Sequence, residues 1–273
     1  MRIYGLDFTS IPSRRKPITS AACELHDDLL RVEGFLSLTG FEDFESFLHT
    51  DGPWLAGLDF PFGQPRKLIE NLGWPQNWVD YMQIIASMER KQFEALLTRY
   101  QEGRPAGDKQ HLRSVDILAH ARSPMMMYRV PVGKMFFEGA TRLLKSEVSI
   151  LPCRPTNDNR IVFEGYPALV ARKLIGKRSY KSDERRQQTR DRELARKEII
   201  DGLHSDKILK QYGLRIGLAG AMVEMLIKDA MGDTLDALLC AVQAGWAFLQ
   251  RDRAYGIPRN CDVIEGWIID PVI

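Results

Sequence analysis

The tetrapeptide Gly-Leu-Asp-Phe occurs twice in this chain of 273 residues, once at 5–8 and once at 57–60. Each copy closes a short apolar run of the kind that forms a buried strand, and a proline follows, Pro12 or Pro61. A third run, Ile161-Val162-Phe163, ends in Glu164-Gly165-Tyr166-Pro167. Three strands that finish on an acid where the chain turns call for an α/β sheet with carboxylates along one edge. Gly232-Asp233-Thr234-Leu235-Asp236 then sets two more acids at the start of an apolar helix, three residues apart and so on one face.

The surrounding pattern fills in the sheet. Residues 2–8, 18–25, 29–38 and 54–60 are read as strands, with Asp27-Asp28 turning a hairpin and a helix over 41–48. The strand at 54–60 is apolar almost throughout, as in a central parallel strand covered on both faces. Residues 61–155 carry long helical patterns, about 76–101 and 134–147, and no evident strand. A strand at 160–164 resumes the sheet. Helices over 168–175, 182–203, 219–229 and 233–250 follow, and 263–269 is expected to add a short final strand.

Crowded carboxylates repel one another unless cations hold them. Asp7, Asp59, Glu164, Asp233 and Asp236, gathered at one edge, are therefore the candidate catalytic acids. They would form an oxygen-rich site suited to a hard cation such as Mg²⁺ or Mn²⁺. Each acid also has a plainer role open to it. Asp7 and Asp59 suit turns, Asp233 suits a helix cap, and Glu164 could pair with an arginine.

Other features restrict the function classes. A net charge of +2 and a pI near 8.3 do not mark a general polyanion binder. The basic residues are instead concentrated in 172–197, with eleven Lys or Arg against four acids. Lys173, Lys177, Arg178 and Lys181 are its candidate substrate-binding residues, for phosphate contact, although a solvated helix face explains the same composition. The four cysteines form no Cys-x-x-Cys pair, and the five histidines fit no metal-binding spacing. No run reaches the roughly 20 apolar residues of a membrane span, and the first strand begins too early for a signal peptide, so a cytoplasmic location is expected.

The order of elements and acids resembles the RNase H-like superfamily, and Asp233-Thr234-Leu235-Asp236-Ala237-Leu238 is similar to the acid-bearing helix of RuvC-type Holliday junction resolvases. More closely, the chain resembles the predicted-nuclease family called domain of unknown function 429. The motifs that carry this are Gly5-Leu6-Asp7, Asp59-Phe60-Pro61-Phe62-Gly63, Glu164-Gly165-Tyr166-Pro167, Tyr180-Lys181, Gly232–Ala237 and the closing Glu265–Pro271. The resemblance implies a mixed five-stranded sheet flanked by helices. It would be a single domain with its core at about 1–63 and 158–273 and a helical insertion at 64–157. It further implies Asp7, Asp59 and Asp236 as metal ligands, with Glu164 and Asp233 in support. The expected activity is two-metal hydrolysis of phosphodiester bonds in nucleic acid, DNA or RNA. A phosphotransferase of the actin-like or sugar-kinase type and a non-catalytic nucleic-acid-binding protein are the alternatives. The family's glycine-rich turn after the first acid is replaced by Phe8-Thr9-Ser10, so a bulky Phe8 is expected to narrow access to the metals.

Overall fold

Strand pleating sends alternate side chains to opposite faces, and it sorts the two repeated tetrapeptides identically. In the computed structural model, which describes residues 1–273, they end strands β1 (Arg2–Asp7) and β4 (Trp54–Leu58). These strands are parallel neighbours in which Gly5 pairs with Gly57 and Leu6 with Leu58. Ile3 and Leu55 enter one hydrophobic core, while Leu6 and Leu58 enter another on the opposite side of the sheet.

Five further strands complete the sheet: β2 (Ile18–His26), β3 (Leu29–Leu38), β5 (Ser149–Leu151), β6 (Arg160–Glu164) and β7 (Arg215–Gly217). The order is β5-β6-β4-β1-β2-β3-β7. Only β2 runs antiparallel to its neighbours. The architecture is therefore a mixed α/β sheet of seven strands rather than five.

Helices cover both faces. On the Ile3 side lie α7 (Pro167–Ile175), α8 (Arg190–Leu203), α9 (Asp206–Tyr212), α10 (Gly220–Lys228) and α11 (Asp233–Leu249). On the Leu6 side lie α1 (Phe41–Leu48), α2 (Arg66–Asn71), α3 (Trp78–Ala86), α4 (Arg90–Gln101) and α6 (Val132–Lys145). Residues such as Trp78, Tyr81, Phe93 and Phe136 share a core with Leu6, Trp54 and Val162. The helical segment between β4 and β6, with α1, thus supplies the cover of one face of the sheet. The short α5 (Ser114–Ala119) sits with Trp267 and Ile268 in a small third cluster.

Several sequence readings need correction. The strandless segment 61–155 contains β5, three residues at the sheet edge and too short to show a periodicity. β7 likewise escapes notice, being three residues between two helices. The expected strand at 263–269 is a single bridge from Ile268 to Glu164, because its neighbouring residues wrap the end of β6 instead of running beside it. The charged helix begins at Arg190 rather than 182, leaving an irregular loop through 176–189. Finally, Phe8 does not stand over the acids. It is buried on the other face among Phe41, Phe44 and Phe60. No helix is long and apolar enough to cross a membrane.

Candidate functional site

The repeated tetrapeptide has a steric meaning. In Gly-x-Asp the glycine and the acid point to the same face of a strand, and here that face carries α11. A Cβ built on Gly5 would lie 2.1 Å from the Ala237 carbonyl oxygen and 2.1 Å from the Ala241 nitrogen; one on Gly57 would lie 2.5 Å from the Cys240 carbonyl oxygen. The paired glycines form a bare floor on which the helix backbone rests, and Ala237, Ala241 and Ala244 keep the helix side equally thin. One pleat further on, Asp7 and Asp59 rise from the same face toward the first turn of α11.

Asp236 occupies that turn. Carboxylate oxygens of Asp7, Asp59 and Asp236 all lie within 4.8 Å of one another. Asp7 and Asp236 are buried and Asp59 is partly so. The helix start is built to stay put. Gly232 adopts φ 74°, and the Asp229 carboxylate accepts from the backbone N–H groups of Met231, Gly232 and Thr234 at 3.1, 3.1 and 2.9 Å. The helix dipole favours negative charge at this end.

Two lysines answer the acids. Lys181 donates to Asp236 Oδ2, while the Tyr180 hydroxyl donates to Asp236 Oδ1. Lys16 donates at 2.8 Å to Asp233 and at 2.7 Å to Asp183. The loop carrying Tyr180 and Lys181 is pinned by Arg196, whose guanidinium donates to the Tyr180 carbonyl at 2.7 Å and to the Ile227 carbonyl at 2.8 Å. Lys181 also packs over Gly232, where any Cβ would strike its side chain.

Titration reflects this crowding. Burial pushes the Asp7 carboxyl well up, with Asp236, Asp233 and Asp59 adding to the shift and Lys181 opposing it. Asp59 is raised to about 7, by burial first and then by Asp236, against the pull of Lys181. Burial raises Asp233 as well, against Lys16. Burial works against the charge on Lys181, yet Asp236 and Asp7 outweigh it and hold the ammonium well above its ordinary range. A concentrated negative site of hard oxygen donors, partly neutralised by ammonium groups, is the donor set that Mg²⁺ or Mn²⁺ prefers.

Glu164 does not join the cluster. It pairs with Leu58, not with Asp59, so the pleat turns it toward the opposite face. There the Arg113 guanidinium grips both its oxygens, and the Phe62 N–H donates to it at 3.0 Å. Arg113 also binds Asp116 and donates at 3.0 Å to the Glu265 carbonyl, all within a fully buried network. The plainer reading of Glu164, an acid paired with an arginine, describes its contacts. Arg113 itself is committed to these carboxylates.

Of the four basic residues expected near the acids, only Lys181 reaches them. Arg178 is exposed and paired with Glu198, and Lys173 lines a separate shallow groove with Lys207 and Lys210. Lys177 is exposed beside Arg172 and His120. Sequence reasoning overlooked Lys16 and the Arg113 network. Neither has a local signal, since Lys16 meets Asp233 across 217 residues of chain and Arg113 meets Glu164 across 51. The parity of Gly-x-Asp was readable, and it separates Asp7 and Asp59 from Glu164.

Beside the acids opens a cleft of about 250 Å³. Asp59, Asp236 and Lys181 line it together with Phe60, Pro61, Tyr166, Arg122, Val132 and Met135, most of them from the segment between β4 and β6. The narrowing expected of Phe8 comes from that segment. No protein-family model, curated protein or solved structure matches the chain.

Proposed function

We propose that this chain is a divalent-cation-dependent phosphodiester hydrolase, a nuclease on an RNase H-like core. The observation that carries the reading is the convergence of Asp7, Asp59 and Asp236 at the carboxyl edge of two parallel strands, with ligand oxygens within 4.8 Å. Ligand sites of open α/β sheets lie at that edge. The topology supports the same reading. Within the seven-stranded sheet, β3-β2-β1-β4-β6 with β2 alone reversed make a mixed five-stranded stretch, which favours that reading, and β5 and β7 flank it.

Asp7, Asp59 and Asp236 would hold Mg²⁺ or Mn²⁺, and Asp233 extends the negative field on the Lys16 side. Held there, such a cation would supply Lewis-acid polarisation of a phosphoryl oxygen and a more acidic bound water. The protein's own groups do the rest. Tyr180 fixes the orientation of Asp236, and burial keeps its hydroxyl protonated as a donor. Lys181, more than a third exposed on the cleft side, places a positive charge where the phosphate oxygens approach. The Arg113 network supports the site from behind, holding the turn after β4 through Glu164 and the Phe62 N–H.

The test is paired. Titration calorimetry with Mn²⁺ and hydrolysis of bis(p-nitrophenyl) phosphate are measured on the wild type and on Asp7→Asn. Both signals are expected in the wild type. In the variant, hydrolysis should fall by more than about a hundredfold, beyond the 10–100-fold typical of residues that only orient a ligand. A wild type that binds no Mn²⁺, or an Asp7→Asn variant as active as its parent, sinks the proposal.

A further inference from the structure

The cleft beside the acids adjoins a second depression, and the pair has a definite chemical character. Tyr180 and Ala168 line both. The second depression, about 440 Å³, is lined by His120, Arg172, Lys177 and Arg178 and contains no carboxylate. His120 directly precedes Ala121, which lines the cleft, so the two share a rim as well as a floor. The surface therefore leads from the acids, past Tyr166 and apolar side chains of the β4–β6 segment, to a basic groove.

Each part selects something different. At about 250 Å³ the cleft is smaller than the roughly 300–1,000 Å³ typical of drug-sized ligands, which leaves room for about one nucleoside unit. Tyr166 is half-buried in its wall, with the Arg172 guanidinium 5.4 Å from the ring centroid and bonded to its hydroxyl at 3.1 Å. An aromatic face so held is a platform for a base, and stacking of this kind tolerates any sequence. Arg122 at the cleft and Lys177 at the groove are both exposed and neither enters an ion pair, so they can meet phosphates. A base paired within a duplex cannot enter such a cleft without leaving its stack.

From this arrangement we infer that the substrate is single-stranded nucleic acid, bound with one nucleoside in the cleft, the scissile phosphate at the acids and a neighbouring phosphate in the His120–Lys177 groove. The inference rests on the hydrolase reading for the reaction, but it makes a claim about binding that stands separately.

Fluorescence anisotropy in Ca²⁺ tests it, using a labelled single strand of ~12 nucleotides, within the range such sites cover, and the same sequence as a blunt duplex. DNA and RNA versions are both measured. The single strand should bind at least about tenfold more tightly than the duplex. Lys177→Glu and Arg122→Glu, surface changes confirmed folded by thermal melting, should each weaken single-strand binding several-fold and reduce its salt slope by about 0.7 per lost phosphate contact. Equal or tighter duplex binding overturns the inference, as does wild-type affinity in both variants. Failure of the hydrolase reading looks different: no bound Mn²⁺ and no cleavage of the small diester, whatever the strand preference.

Discussion

Substituting alanine for Gly5 tests whether the glycine floor builds the site. The added Cβ would lie 2.1 Å from two backbone atoms of α11, where ordinary contact begins at 3.4 Å, so helix and strand must part by about 1.3 Å. Neither neighbour is a flexible side chain that could swing away. Overpacking of a well-filled core costs about 1–3 kcal/mol, and a clash with backbone on both sides belongs at the upper end. For a protein of this size, about 3 kcal/mol lowers the melting temperature by roughly 6–12 °C. The more telling effect is local. Ala237, whose carbonyl is struck, follows Asp236 directly, so the shift moves Asp236 away from Asp7 and Asp59. A misplacement of about 1 Å can cost 10²-fold in catalysis. Gly34 in β3 is the control, since a Cβ there meets nothing within 4 Å. Thermal melting and Mn²⁺ calorimetry of Gly5→Ala and Gly34→Ala should therefore separate the two variants on both measures. If Gly5→Ala melts within a degree or so of the wild type and keeps its Mn²⁺ affinity, the close helix approach does not organise the acids and the reasoning is wrong.

Two other outcomes follow from the charges. Asp59 is raised from 3.8 to about 7, so its contribution to stability is complete below pH 4 and is lost as the pH rises through 7. At about 1.36 kcal/mol per unit this is at most about 4 kcal/mol, and partial exposure of Asp59 reduces it to about 2. The melting temperature of the protein without divalent cations should fall between pH 5 and 8, more steeply than in Asp59→Asn, while saturating Mn²⁺ should flatten or reverse the slope; parallel slopes in both proteins would refute this. Arg113→Met should cost about 3–5 kcal/mol in urea denaturation at neutral pH, because Glu164 and Asp116 are left buried without a cation. Adding Glu164→Gln to it should recover part of that loss, and no recovery would mean that Arg113 matters for packing rather than charge.

How much of this was legible follows from the range over which each signal acts. The strands β1 and β4, the helix α11 and the acids they present are local patterns, visible because period two and period 3.6 repeat within a few residues. The error over Glu164 was also local. Glu164 has Val162, not a glycine, two residues before it, and its pairing with Leu58 sets it on the face away from α11. Lys16 is different. Its partner Asp233 lies 217 residues away, and nothing near either residue announces the contact. The basic run of 172–197 shows the limit of composition. Eleven positive charges identify a surface, but the irregular loop at 176–189 decides that Lys181 alone turns inward, and irregular loops carry no period to read.

The glycine floor also bears on why two acids and their strands look like copies of each other. A helix can approach two neighbouring parallel strands equally closely only where both lack side chains at the same level, and β1 and β4 pair glycine with glycine at that level. The acid must then come two residues later on each strand, because that is the next position on the same face. The leucine between them must be apolar, since it faces the opposite core. Identical positions in the sheet impose identical tetrapeptides, so the repetition follows from one helix packing across two strands and needs no duplication of the chain. The same argument limits where further acids can contribute. An acid on β6 could join the cluster only at position 165, where a glycine lies beside the sulfur of Cys240 at the foot of the acid cluster, the distance from its built Cβ to Sγ being 3.1 Å. The three-acid composition of the site is therefore a consequence of how closely α11 packs, and Asp233, one turn from the floor and held by Lys16, marks its outer boundary.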